Sequence, residues 1–226
     1  MADEARPYAN TDCPYCGVAI DPLPWRKTKC PVCARPIYVR AGPDGYTYLL
    51  QDGDRHVLEE AWAEYRERQD YTQKMAAFLL DFEKLEADMR ARDPNYSPRD
   101  VYWAGMNRLV LDSLGRADWH TAQLAYFQMA LQAWKESDED RAPERALTLQ
   151  READKAQLMG YLRLADLTRN GRPDMRVDIV GCDCAGCSSG RHHRLWAQDE
   201  LAAPHIPHQQ CRKDGWCACE YLPVGE

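Results

Sequence analysis

The sequence predicts a mainly α fold in which a central antiparallel helical bundle lies between two small cysteine-rich modules. Three observations carry that expectation. The ten cysteines of this 226-residue chain are gathered at its two ends, with none between Cys33 and Cys182. Between the two groups, apolar side chains recur at three- and four-residue steps, the period of amphipathic helices. The cysteine-bearing segments are short and rich in proline, so they bury too little apolar surface to offset chain entropy unaided. The expected division is 1–54, 55–171 and 172–226.

Residues 1–12 are polar, carry Pro7 and read as a flexible lead. Cys13-Pro-Tyr-Cys16-Gly17 and Cys30-Pro-Val-Cys33-Ala34 follow as two C-x-x-C turns. Each such turn brings two sulfurs together with backbone amides aimed at the first, and two turns facing each other complete a tetrahedral Zn(Cys)4 site. Four thiolates leave no open position, so the site is expected to be structural. Rubredoxin-like iron is the competing occupant, although rubredoxins separate their turns more widely. Pro36-Ile-Tyr-Val-Arg40 and Tyr46-Thr-Tyr-Leu-Leu50, separated by a Gly-Pro-Asp-Gly turn, then predict a β-hairpin on which the cysteine turns sit.

In the middle, Leu58, Ala61, Trp62, Tyr65, Met75, Phe78, Leu79, Phe82, Leu85 and Met89 predict a long helix over 56–92, with room for a break near 69–72. Asp81, Glu83 and Glu86 read as its solvated face. Asp93-Pro94 stops it, because the residue before proline is pushed out of helical geometry. Ser97, Pro98 and Asp100 supply a cap, a first-turn proline and an acidic first turn for a second helix lined by Trp103, Met106, Leu109, Val110 and Leu114. From Asp118 a third helix is expected to bury Leu124, Phe127, Ala130, Leu131 and Trp134, and after an acidic loop at 136–140 a fourth over 143–168 buries Leu147, Leu158, Tyr161, Leu162 and Ala165. Residues 175–180 alternate apolar and polar side chains and predict a strand.

The last module holds Cys182, Cys184, Cys187, Cys211, Cys217 and Cys219 with four histidines nearby. A C-x-x-C turn and a distal pair again suit one tetrahedral ion, with Cys184, Cys187, Cys211 and either Cys217 or Cys219 as ligands and His208 as the best substitute for a thiolate. Six thiols exceed one mononuclear site. Spare cysteines, a disulfide between leftovers, a histidine ligand and a two-metal cluster all remain open. Two zinc ions per chain are expected.

The net charge of −7 argues against bulk attraction to nucleic acid. Locally, however, Arg26, Lys27, Lys29, Arg35 and Arg40 fall between Leu23 and Arg40 with no acidic residue among them. That small basic face is either a solvated surface or a nucleic-acid patch. The chain opens without a signal-peptide pattern and has no apolar run of about 18 residues, so a cytoplasmic protein without membrane contact is expected. No phosphate-binding glycine loop, nucleophile elbow or helix with paired metal-binding histidines is present, and no catalytic residue is assigned.

Two resemblances bear on origin. Cys13-Pro-Tyr-Cys16-Gly, with Lys29-Cys30-Pro-Val-Cys33 and Ile37-Tyr-Val-Arg40, resembles the zinc ribbon that opens many uncharacterised bacterial and phage proteins. The terminal segment is similar to that of phage head-morphogenesis proteins of the Mu F type. There Cys184 and Cys187 match the first pair, Pro207-His208 with Cys211 the middle, and Cys217-Ala-Cys219 the last, with 212–216 inserted. These likenesses imply a phage or prophage origin and, less directly, a capsid role, while two zinc-stiffened tips spaced by a bundle lead to the expectation of an interaction or scaffold protein acting by contact with a protein partner. Nucleic-acid binding through the basic face is the alternative, followed by an HNH-like nuclease using His192 or His193, for which the expected asparagine and ββα order are not evident. Neither the partner nor the oligomeric state can be read from the sequence.

Overall fold

Strand β1 (Thr28–Lys29), β2 (Pro36–Ala41) and β3 (Thr47–Leu50) form an antiparallel sheet in that order. The computed structural model that shows this describes residues 7–137, 144–168, 175–181, 194–207 and 217–224. Strand alternation sends Ile37, Val39 and Leu49 inward, where they meet Ile20, Cys13 and Cys30 in a very small core. The lead predicted as flexible is pinned from residue 7. The Thr47 amide donates to the Pro7 carbonyl at 2.8 Å, and Asn10 exchanges two 2.9 Å hydrogen bonds with the Leu49 backbone.

After a short 3-10 turn at Asp52–Asp54, helix α1 (Arg55–Ala76) and helix α2 (Phe82–Arg90) replace the single long helix expected. The break lies at 77–81, beyond the 69–72 stretch where the sequence left room for one. Leu79 takes a left-handed φ of 58° and projects 96% exposed, and the Leu80 amide closes onto the Met75 carbonyl at 3.1 Å. Asp81 then caps α2 by accepting from the Lys84 amide at 3.0 Å. Apolar periodicity runs straight through this stop, which is why it hides the break. Glu86 is buried at 7% rather than solvated. Its carboxylate takes a two-pronged contact from Arg68 (2.8 and 3.3 Å) and a 3.2 Å hydrogen bond from the Tyr96 hydroxyl. The Arg68 guanidinium holds its carboxyl below the usual range.

Helix α3 (Pro98–Gly115) starts as predicted. The Ser97 hydroxyl accepts from the Asp100 amide at 3.3 Å, and the Ser97 amide donates back to the Asp100 carboxylate at 2.9 Å. The chain divides into two units, Met1–Tyr102 and Trp103–Glu226, with the division inside α3. In the first, Tyr71 stacks on Tyr102 with ring centroids 4.8 Å apart, and the Trp62 indole donates to the Ala41 carbonyl at 2.9 Å.

In the second unit, helix α4 (Trp119–Lys135) is capped by Asp118, which accepts from the Thr121 amide at 3.2 Å. It packs along helix α5 (Glu144–Thr168). Gly160, late in α5, lies so close to the start of α4 that a methyl there would sit 3.5 Å from the Trp119 Cβ, so the pair is antiparallel. The buried face of α4 is Ala122, Ala125, Met129, Ala130 and Ala133, whereas Leu124 and Phe127 of the expected stripe are exposed. The packed helix α5 likewise buries small side chains, Ala146, Ala153 and Ala156, and small faces permit close helix approach.

Strand β4 (Arg176–Val180) forms, as predicted, between β5 (Leu195–Trp196) and β6 (Glu220–Pro223), antiparallel to both. A short helix α6 (Ala197–Ala202) follows β5. With Leu158 of α5, the sheet builds a core of Val177, Ile179, Ala197, Ile206, Cys217, Cys219 and Tyr221. No helix among the described residues is long and apolar enough to cross a membrane.

Candidate metal centre

The two cysteine turns have the same backbone. In the first, the Gly17 amide donates to the Cys13 carbonyl at 2.9 Å and the Cys13 amide to the Val18 carbonyl at 2.8 Å. In the second, Ala34 donates to Cys30 at 3.0 Å and Cys30 to Arg35 at 2.9 Å. Both turns close through a left-handed residue, Gly17 at φ 71° and Ala34 at φ 60°. Glycine takes that conformation without penalty, while alanine there costs about 1 kcal/mol.

These turns converge so that the Sγ atoms of Cys13, Cys16, Cys30 and Cys33 all lie within 4.8 Å of one another. The cross-turn separations are 3.8 Å for Cys13 to Cys33 and 3.7 Å for Cys16 to Cys30. A disulfide would need about 2.05 Å. A regular tetrahedron with metal–sulfur bonds of about 2.3 Å has an edge of about 3.8 Å, which the observed pairs match. The arrangement could hold one metal ion and would saturate it, leaving no position for water or substrate. Cys13 and Cys30 are buried, Cys33 is half-buried and Cys16 faces outward.

Electrostatics point the same way. The amides of Cys33 and Val32 approach the Cys30 sulfur at 3.5 and 3.4 Å and draw its pKa down to about 6. The Val18 amide pulls Cys16 in the same direction, but lost hydration and the neighbouring sulfurs outweigh it and push Cys16 up to about 12. Four thiols this close ionise together only when a cation shares their charge.

Of the five basic residues expected around this site, Lys29 lies on β1 and Arg40 on β2, while Arg26, Lys27 and Arg35 flank those strands, and strand register decides which share a face. Tyr38 and Arg40 alternate with the inward Ile37 and Val39, so both face out. Lys29 pairs with Pro36 on that same side, and the Lys27 ammonium lies 4.3 Å from the Tyr38 ring centre. Arg35 instead covers Tyr15 at 5.2 Å, and Arg26 covers the 79% exposed Trp25 at 4.8 Å. Sequence reading missed Trp25, Tyr15, Tyr38 and Arg55, the last lying 5.2 Å over Tyr38. The adjacency Trp25-Arg26-Lys27 was the available signal.

At the other end, Cys217 and Cys219 are buried beside α5, where the Gln150 amide donates to the Cys217 carbonyl at 2.6 Å. Cys184, Cys187, Cys211 and His208, together with Cys182, His192 and His193, lie outside the described residues. Sequence reading also missed two buried carboxyls in this unit. Glu200, 1% exposed, accepts from the Tyr221 hydroxyl at 2.8 Å and the His205 amide at 3.0 Å, with His205 Nδ1 at 2.6 Å. Asp154 is buried with Oδ2 lacking a hydrogen-bond partner, and burial raises its pKa well above the ordinary value. No protein-family model, curated protein or solved structure matches the chain.

Proposed function

We propose that the chain is a non-catalytic zinc-binding scaffold that works by contact with a protein partner, with the front Zn(Cys)4 ribbon as a rigid presenting module. The sulfur–sulfur edges of 3.7 and 3.8 Å carry this reading, since they suit a tetrahedral zinc–thiolate site and nothing catalytic. A metal that replaces a large core makes an exposed module stiff, and a stiff surface has little ordering entropy to lose on binding.

A second zinc at the terminal module belongs to the same proposal, with Cys184, Cys187 and Cys211 joining Cys217 or Cys219, or His208 in place of one thiolate. What supports it is the pairing of β4 with β6. Gly181, which directly precedes Cys182 in sequence, packs so tightly on Cys219 that a Cβ would lie 2.8 Å from its sulfur. The helical middle as one bundle is likewise proposed, on the antiparallel α4–α5 pair. A cytoplasmic setting and a phage or prophage association rest on the sequence alone.

The test is elemental analysis of the purified full chain, followed by capture of partners from a nuclease-treated host extract. Two zinc ions per chain and a protein partner that survives nuclease are expected. Less than one bound metal per chain, or capture abolished by nuclease, would overturn the reading.

A further inference from the structure

We infer that the outward face of the β1–β2–β3 sheet binds single-stranded nucleic acid, an assignment that rests on the ribbon being held by its metal. Register puts Lys29, Tyr38 and Arg40 on one side of two adjacent strands, and Lys27, just ahead of β1, reaches that side at the Tyr38 ring. Against them stand further cations and rings in an unbroken chain of contacts. The Lys27 ammonium donates to the Tyr38 hydroxyl at 3.2 Å, and Arg55 lies over the same ring. Arg55 reaches Asp52 at 3.5 Å, the Asp52 amide donates to the Tyr15 hydroxyl at 3.2 Å, and Arg35 covers Tyr15. Trp25 stands two residues ahead of Lys27, just before the outer strand β1, with Arg26 on its ring.

Charge and shape together select the occupant. A phosphodiester chain supplies an anion at each nucleotide, which matches cations spaced along β1 and β2. Bases need apolar ring faces, and the exposed indole of Trp25 offers one. An acidic protein surface would satisfy the cations but has no use for that exposed ring. A duplex hides its bases and would meet only the charges. The carboxylates nearby are Asp52, engaged by Arg55, and Asp44, which accepts from the Tyr48 hydroxyl and the Tyr46 amide on the far side of β2 from β1. They bound the patch on the β3 side, so the strand is assigned to the β1 edge.

The experiment measures anisotropy of fluorescein-labelled oligo-dT and oligo-U with the full chain, on samples whose bound zinc has been quantified first. Binding of either at low salt is expected, weakening on a double-logarithmic salt plot with a slope of about −2, from about −0.7 for each of Lys27, Lys29 and Arg40. Neutralising those three to alanine should remove most of the slope, and Trp25→Ala should weaken binding about tenfold with the slope unchanged. Zinc-loaded protein that leaves both oligonucleotides free overturns this inference alone, while a sample without zinc overturns the reading beneath it. Binding indifferent to all four substitutions, or poly-glutamate binding as tightly as oligo-dT and insensitive to Trp25→Ala, also overturns it.

Discussion

In the front ribbon, Cys13 and Cys30 are buried because their sulfurs turn toward two others, with Ile20, Ile37, Val39 and Leu49 buried beside them and Tyr8, Tyr15 and Val18 packed against that cluster. At the other end, Cys217 and Cys219 are buried among Val177, Ile179, Ala197, Ile206 and Tyr221, against Leu158 of a 25-residue helix. Among the described residues, then, the front thiols face one another, while Cys217 and Cys219 also lie against hydrocarbon. What differs is the neighbour. The ribbon's small core makes it the module that a metal at the four thiols would stabilise most, whereas the terminal sheet has a wall from α5 and a core of its own.

The largest effect that would break this contrast is on the ribbon. Cys30→Ser removes one of four ligands from a site of a type that contributes on the order of 10 kcal/mol to folding. The expected outcome is loss of the front metal and of hydrogen-exchange protection at the Gly17 and Ala34 amides, with the α4–α5 amides still protected. Retained ribbon protection would show that the contrast is false. Under the proposal above, Cys217→Ser and Cys219→Ser combined should lower bound zinc by one ion while leaving the ribbon amides protected.

Buried carboxyls sharpen the comparison, because Glu86 in the first unit and Glu200 in the second are paired, whereas Asp154 Oδ2 lacks a hydrogen-bond partner among the described residues. Glu86→Ala should cost about 2 kcal/mol in urea unfolding at neutral pH, since Arg68 is partly exposed and recovers some hydration. The Glu86 pKa is depressed in the fold, so its contribution is present above the unfolded value of about 4.3 and is lost as pH falls through the folded value. Asp154 has the opposite sign. Its raised pKa means stability that is full below about 3.9 and declines as pH rises toward the folded value. Asp154→Asn is therefore expected to stabilise the chain by about 1 kcal/mol or more at pH 7 and to change little at pH 4, read from paired urea titrations.

The smallest effect compares the two knuckles with each other. Ala34→Gly gives the second turn the residue the first already has, and should raise thermal stability by about 0.5–1 kcal/mol without altering metal content.

Much of the candidate site was legible because its determinants are local. C-x-x-C spacing sets where two sulfurs point, and Ser97 with Asp100, or Asp118 with Thr121, satisfy helix amides within one turn of chain. The hairpin and the strand at 176–180 follow from alternation of period two. Other features depend on partners distant in sequence. Leu124 and Phe127 formed as good an apolar stripe as the alanines of α4, and only the close approach of α5 selected the latter. Glu86 looked like a surface residue until Arg68, 18 positions earlier, was folded against it. Arg55 lies outside the basic segment and reaches Tyr38 only through the chain's return from β3.

By itself the amino-acid sequence determined the two C-x-x-C turns, the strands, most helix segments and the caps at Ser97 and Asp118, since hydrogen bonds and ligand bites within a few residues need no distant partner. Tertiary structure alone decided which helix face is buried, which carboxyls lose water, and which cations share a side of the sheet with an aromatic ring. Those outcomes turn on how closely two elements can approach, a property of pairs of surfaces that no single segment contains.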